Sequence, residues 1–219
     1  MANLSTIAFQ VRASLGTSGL KLTHANVLEL LAASLGYGTY AALKLDKSIR
    51  ADEIFTVEDH VVLQSELLLK RLQKLSVDQA GAQVVGEVIW NFFNLAVKEE
   101  GGTCRFHASM EDFEDFIFQD VQDRAMVDDD VNDAYNETNA YIDEFYTDSY
   151  EYEPLLDADN EWVLVASGSH TGDVDPDRPY SGHTGSFIAT YTFQKCGRAG
   201  LIEDDPEFGL DFERDYDEE

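Results

Sequence analysis

The charge of this chain lies almost entirely on one side of residue 100. Residues 1–100 carry 11 Asp and Glu against 9 Lys and Arg, whereas residues 101–219 carry 32 against 6. The formal net charge of −28 is therefore −2 in the first part and −26 in the second. A segment that repels itself so strongly can fold only with its carboxylates in water and enough apolar residues to close a core. It also calls for a cationic partner or a reason to avoid polyanions. The core requirement is met, because 44% of the residues are hydrophobic and 11% aromatic, unlike disordered acidic chains. A salt-adapted chain would be acidic throughout, and the near-neutral first part argues against that origin.

A length of 219 residues suits one large or two small domains. The charge shift divides the chain into a helical part over 1–100, an acidic α+β part over 101–200 and an acidic tail over 201–219. The first residues hold no basic stretch followed by an apolar run, so no signal peptide is expected. No apolar segment approaches the roughly 20 residues of a membrane span. Two cysteines, Cys104 and Cys196, make no disulfide framework and fit a reducing cytoplasm.

Helical spacing marks residues 4–16 through Ile7, Val11 and Leu15. Thr23 is an N-cap for a helix bearing Leu28, Leu31, Ala32 and Leu35 on one face, and Thr39 caps a short third helix. Thr56 with Asp59 predicts a start before a Leu-rich helix reaching about Leu75. Asp78 opens a helix through Lys98 whose Val85, Ile89, Phe92 and Phe93 are too apolar to face water.

Within this part, Leu22-Thr-His24, Leu28-Glu-Leu-Leu-Ala32, Leu35-Gly-Tyr37, Tyr40 and Leu43 form a pattern. It resembles a short helical module near the N-termini of uncharacterised bacterial proteins, many on plasmids and other mobile elements and some labelled glyoxalase-like. The resemblance covers residues 22–43 and implies context without an activity. A glyoxalase domain needs repeated strand–helix–strand units with His and Glu ligands, and that arrangement is absent from the sequence. Residues 23–47 also have the outline of a helix-turn-helix, two short helices around Gly36-Tyr37-Gly38. Only Lys44 and Lys47 could meet phosphates there, too little for DNA affinity in a polyanionic chain.

In the second part, residues 103–109 alternate like a strand, and Phe113, Phe116, Ile117 and Val121 follow at helical spacing. The segment from Asp128 to Asp148 predicts one amphipathic helix. At 100° per residue, Val131, Ala134, Tyr135, Thr138, Tyr141, Ile142 and Phe145 share one sector, and Asp130, Asp133, Glu137, Glu144 and Asp148 share another. Such a stripe would place one charge every ~5.4 Å, sparser than the ~3.4 Å of a DNA strand. The alternative for these residues is a plain solvated face. Poor compensation favours the sharper reading, since residues 101–160 hold 18 acids and only Arg105 and Arg124.

Residues 161–196 read as a hairpin around a long turn, DVDPDRPYSGH. The DPDRPYSG run within 168–193 is similar to a pattern in other uncharacterised bacterial proteins, with no function implied. Asp173, Asp175 and Asp177 have calcium-loop spacing, yet Arg178 stands where Gly is needed and Thr184 where Glu is needed. Turn-capping carboxylates with an Arg178 ion pair fit better. The stretch from 201 interleaves Asp204, Asp205 and Asp211 with Phe208, Leu210 and Phe212, a composition that suits either a docking peptide or a disordered tail.

Nucleophile, phosphate-loop, dinucleotide and zinc-protease motifs are all absent from the sequence. Cys104, His107 and Cys196 could form a zinc site only if the fold joined them, and two distant cysteines are more often buried apolar residues. The expected protein is an α+β, non-enzymatic, cytoplasmic binding protein without cofactor. Its partner-binding residues would be Asp130, Asp133, Glu137, Glu144, Asp148, Asp204, Asp205 and Asp211. They would meet a basic surface on a nucleic-acid-binding protein, with no direct nucleic acid and no membrane, as DNA-mimic inhibitors of restriction or CRISPR systems do. One alternative is a small metal-dependent enzyme or metal-binding protein using the Asp-rich 173–177 turn with His170 and His183. Another is an assembly protein with a merely solubilising acidic face.

Overall fold

The computed structural model describes residues 4–46, 59–175, 177 and 179–213. The elements in chain order are α1 (Leu4–Thr17), α2 (His24–Ser34), α3 (Tyr40–Leu45), β1 (His60–Val62), α4 (Ser65–Lys74), α5 (Gln79–Glu100) and β2 (Arg105–His107), followed by α6 (Met110–Ala125), α7 (Asp129–Thr138), β3 (Ala140–Tyr152), β4 (Glu161–Val174), β5 (Thr184–Cys196), β6 (Gly200–Glu203) and β7 (Glu207–Phe212). This is an α+β fold. It forms two compact units, the first from Met1–Phe113, Pro154–Glu161 and Gln194–Glu203, the second from Glu114–Glu153, Trp162–Phe193 and Asp204–Glu219.

The first unit follows its caps. Thr23 accepts the Asn26 N–H at 3.2 Å, Thr39 the Ala42 N–H at 3.1 Å and Asp78 the Gly81 N–H at 2.8 Å, so three helices start where their N-cap residues stand. Gly101, at φ 68°, ends α5 in the left-handed conformation that glycine adopts without strain. Ile7, Val11 and Leu15 of α1 join Val27, Leu30 and Leu31 of α2 and Val85, Ile89 and Phe93 of α5 in one core. Full burial of each such side chain contributes about 1.5–3 kcal/mol.

The helix predicted from Thr56 to about Leu75 is only partly present. Thr56 lies outside the described residues, His60–Val62 is a strand, and α4 begins at Ser65. The backbone explains the break, because Leu63 N–H reaches the His107 carbonyl and Gln64 N–H the Ser34 carbonyl. Those donors are unavailable to a helix running through 63 and 64. Strand β1 lies between β2, to which it is parallel, and β6, to which it is antiparallel.

The second unit orders its strands β7, β5, β4, β3. β4 and β5 are hydrogen-bonded neighbours, as the 161–196 hairpin requires. The helix predicted over 128–148 is corrected here. Only Asp129–Thr138 is helical, capped by Asp128 through the Val131 N–H at 2.9 Å, and residues 140–152 form a strand. Asn139 makes the switch at φ 63°, a left-handed conformation that Asn tolerates. Beyond it the sequence is rich in Tyr, Phe, Ile and Thr, which suit a pleated surface. Register shifts between Ile142 and Glu144 and between Thr147 and Ser149 interrupt the period of two. That irregularity let a 100° period absorb the same residues.

The composition of the acidic tail from 201 leaves its order open, and the described part of it is largely strand. Residues 200–203 and 207–212 are strands, and β7 pairs along β5 from Gly185↔Phe212 to Thr190↔Glu207. β3 closes one end of the strand order, and Gln122 of α6 blunts it. Its side-chain oxygen accepts the Phe145 N–H at 2.7 Å, and its amide donates to the Asp143 carbonyl at 3.4 Å. The side chain thus does part of the work of a further strand.

The Asn139 junction should set the stability of this unit. Asn139→Gly should be nearly neutral, whereas Asn139→Val should cost about 1–2 kcal/mol, because a β-branched residue resists positive φ. Urea unfolding followed by circular dichroism measures the difference.

Candidate acidic interaction surface and buried histidine networks

Division by structure sharpens the charge asymmetry seen along the sequence. The second unit holds 26 Asp and Glu against three arginines, Arg124, Arg178 and Arg214, whereas the first holds 17 against 12. Arg178 and Arg214 lie outside the described residues, so the expected Arg178 ion pair has no structural account. Arg124 is already engaged, with Asp120 at 2.7 Å and Asp205 at 3.7 Å.

The predicted partner-binding residues fall into three groups. On α7, Asp130, Asp133 and Glu137 are exposed while Val131, Tyr135 and Thr138 are buried, as the helical sectors require. On β3, Glu144 and Asp148 are exposed with Tyr146 by strand alternation, opposite buried Phe145 and Thr147. They are therefore not a continuation of a helical stripe. Tyr141, assigned to the apolar sector, is 58% exposed, and Ile142 is half-buried. The third group, Asp204, Asp205 and Asp211, is exposed on β7 and the link before it. The fold brings Asp130 and Asp205 together. Both line a depression of about 360 Å³ with Arg124, Asp128, Asp129 and Phe208.

Sequence reasoning missed the exposed tyrosines. Tyr141 and Tyr146, with Asp143, Glu144 and Asp148, give β3 a surface of carboxylates and aromatic rings. Carboxylates pair with lysine and arginine, and tyrosine faces receive guanidinium groups. The signal was present as alternation of Tyr and acid, hidden by the helical assignment.

Beneath the acidic surface the unit has a neutral polar network around His170. His170 is buried, and its Nδ1 lies 2.6 Å from the Tyr135 hydroxyl while its Nε2 lies 3.2 Å from the Asp211 carbonyl. A carbonyl can only accept, so Nε2 carries the proton of the neutral ring, and the single Tyr135 hydroxyl proton is shared between Nδ1 and the Thr171 carbonyl, which lies 3.0 Å from that hydroxyl. Burial pushes the His170 pKa down, and burial followed by the charge of Asp143 pushes that of Tyr135 up, which keeps both neutral. A Cβ at Gly185 would stand 1.9 Å from the Asp211 carbonyl oxygen and 2.8 Å from His170 Nε2. One at Gly172 would stand 2.6 Å from the Tyr135 ring. Both glycines clear space for the network. His170, with both ring nitrogens engaged, is poorly placed as the metal ligand of the alternative reading.

In the turn, Asp175 accepts the Asp177 N–H at 3.0 Å, a turn-capping role. The His183 ring packs edge-on against Tyr180. Among the described residues, no group of three or more His, Cys, Asp and Glu is placed to hold a metal ion. Cys104 and Cys196 are both buried.

The first unit has a second histidine network that sequence reasoning did not assemble. His60 Nδ1 lies 3.1 Å from His107 Nε2, and His60 Nε2 lies 2.9 Å from Glu203. Parallel β1–β2 and antiparallel β1–β6 pairing sets the three on adjacent strands, and Phe113 packs edge-on against both rings. Burial above all, then the charges of His60 and Arg105, lowers the His107 pKa to about 3. Residues 60, 107 and 203 are too far apart in sequence for any local motif to link them. No family model, curated protein or solved structure matches the chain.

The His107 shift makes stability depend on pH. Below about 6.5 the unfolded imidazole binds a proton that the folded one refuses until about 3, so stability falls as pH falls through that window. The slope approaches ~1.4 kcal/mol per pH unit for one proton. His107→Gln keeps a polar group near the Nε2 position and cannot titrate. The stability advantage of the natural chain over this variant should be constant above pH 7 and shrink towards pH 4, as read by urea unfolding at each pH.

Proposed function

We propose that the protein is a non-enzymatic, cytoplasmic binding protein whose second unit occupies a basic, nucleic-acid-binding surface of another protein. It would act in the manner of DNA-mimic inhibitors of restriction or CRISPR systems. The observation that carries this reading is a folded unit with 26 carboxylates and three arginines, its one described cation already paired with Asp120 and Asp205. A surface selected for solubility mixes both signs. The bacterial and mobile-element setting comes from the resemblance of residues 22–43. The evenly spaced helical row of charges is no longer part of the argument. In its place stand α7, the Asp130–Asp205 depression and the Tyr-carboxylate surface of β3. No described helix is long and apolar enough to cross a membrane.

Two results are expected. Duplex DNA and RNA should show no gel shift at low salt, because a net charge of −28 repels phosphates; sub-micromolar binding would contradict the reading. Proteins captured on the immobilised chain from a bacterial lysate should be released by added duplex DNA and by salt, since charge attraction is screened over about 8 Å at physiological ionic strength. Asp130→Lys with Asp133→Lys and Glu137→Lys should abolish capture, a loss of several kcal/mol, with little change in folding because all three are exposed. Capture unchanged by the triple substitution and by DNA would leave the acid as a solvated face.

A further inference from the structure

The first unit contains a cavity of about 560 Å³. Its buried floor is Ser34, Leu63, Leu68 and Ile89, and its exposed rim includes Glu87, Trp90, Asn91 and Asp112. This volume lies in the usual range for small-molecule sites, and so does an apolar floor with a few polar groups at the edge. We propose that the cavity binds a small amphipathic cation, an apolar or aromatic body carrying a protonated amine.

Gly86 supplies the first argument. It sits inside the 22-residue helix α5, where glycine costs about 1 kcal/mol relative to alanine. A Cβ at Gly86 would meet nothing within 4 Å. Gly81 of the same helix is different, since a Cβ there would stand 2.8 Å from Val77 Cγ1, so packing requires it. Packing does not require Gly86, and its missing side chain is part of the space of the cavity.

Charge and the aromatic wall supply the second. Among the described residues, two carboxylates and no basic residue line the cavity. Glu87 uses one oxygen for the Gln83 amide at 3.2 Å and Asp112 one for the Ala108 N–H at 2.7 Å, so each has a second oxygen to offer an ammonium group. Trp90 donates its ring N–H to the Phe106 carbonyl at 3.1 Å, which fixes the indole as a wall able to receive a cation on its face. An anionic ligand would face both carboxylates.

The test uses 4-phenylbutylamine, 4-phenyl-1-butanol and 4-phenylbutanoate as probes, with titration calorimetry and tryptophan emission as readouts. Trp90 is 37% exposed and Trp162 fully buried, so a change in emission reports on the cavity. The amine should bind saturably, the alcohol at least tenfold more weakly and the carboxylate not at all. Gly86→Phe, filling the space, should abolish saturable amine binding while leaving the circular dichroism unchanged. Glu87→Gln with Asp112→Asn should reduce the preference for amine over alcohol to about twofold or less, a measure that does not depend on the Gly86 variant folding. Amine binding that persists unchanged in Gly86→Phe is diffuse attraction to the chain's carboxylates and overturns the proposal. Equal binding of amine and carboxylate, or an amine preference untouched by the double charge variant, overturns it as well.

Discussion

The second unit has to fold with 26 carboxylates and three arginines, and that constraint shapes what surrounds it. Salt bridges cannot supply its cohesion, because cations are scarce and exposed pairs contribute at most about 1 kcal/mol. Cohesion must come from apolar burial and neutral hydrogen bonds. The buried residues fit that demand, with Trp162, Tyr135, Tyr191, Phe187 and Phe193 almost wholly removed from water. The Tyr191 hydroxyl donates to the Asp120 carboxylate at 3.0 Å, and the other polar groups among them are joined without formal charge. Tyr135 shares its hydroxyl proton between His170 and the Thr171 carbonyl, His170 donates to the Asp211 carbonyl, and the Trp162 ring N–H donates to the Glu153 carbonyl. Most of the Asp residues are thereby left to the surface, where their mutual repulsion is weakened by water and salt, while the mostly buried Asp120 is held by Tyr191 and Arg124.

Helix starts were legible where a side-chain cap and its few neighbours decide, and misread after Thr56, since α4 begins at Ser65 without a side-chain cap. Thr23, Thr39, Asp78 and Asp128 cap as their side chains predict. The hairpin was legible from alternation on both sides of a Pro- and Gly-rich turn. The segment after Asn139 was misread because Tyr141, Ile142 and Phe145 satisfy a helical period while two register shifts blur the strand period. A single left-handed Asn carries the switch, and Asn is a weaker stop signal than the Gly that ends helices most often. β1 was hidden for another reason. Its three residues, His60–Val62, owe their conformation to partners at 105–107 and 200–201, and no local pattern encodes pairing over such distances.

Of the candidate surface, the imbalance of charge was fully legible and its arrangement only partly. Exposure of Asp130, Asp133 and Glu137 follows from helical periodicity, whereas the meeting of Asp130 with Asp205 depends on β7 pairing with β5. The buried histidines were invisible in their roles. His170 appears in sequence as a candidate ligand, yet Tyr135 lies 35 residues away and the carbonyl that completes the network lies 41 residues away. Gly172 and Gly185 read as ordinary strand glycines until the atoms they make room for are known.

The central claim is that the second unit, and not the chain's acidity in general, meets a basic partner surface. Carbodiimide cross-linking of the captured complex, read by mass spectrometry, tests it most directly, because the reagent joins a carboxylate to a lysine only at contact distance. The account predicts links concentrated on Asp130, Asp133, Glu137, Glu144, Asp148 and Asp205, reaching lysines that the partner uses to hold nucleic acid. Links spread evenly over both units, or centred on the carboxylates of the first, would contradict it.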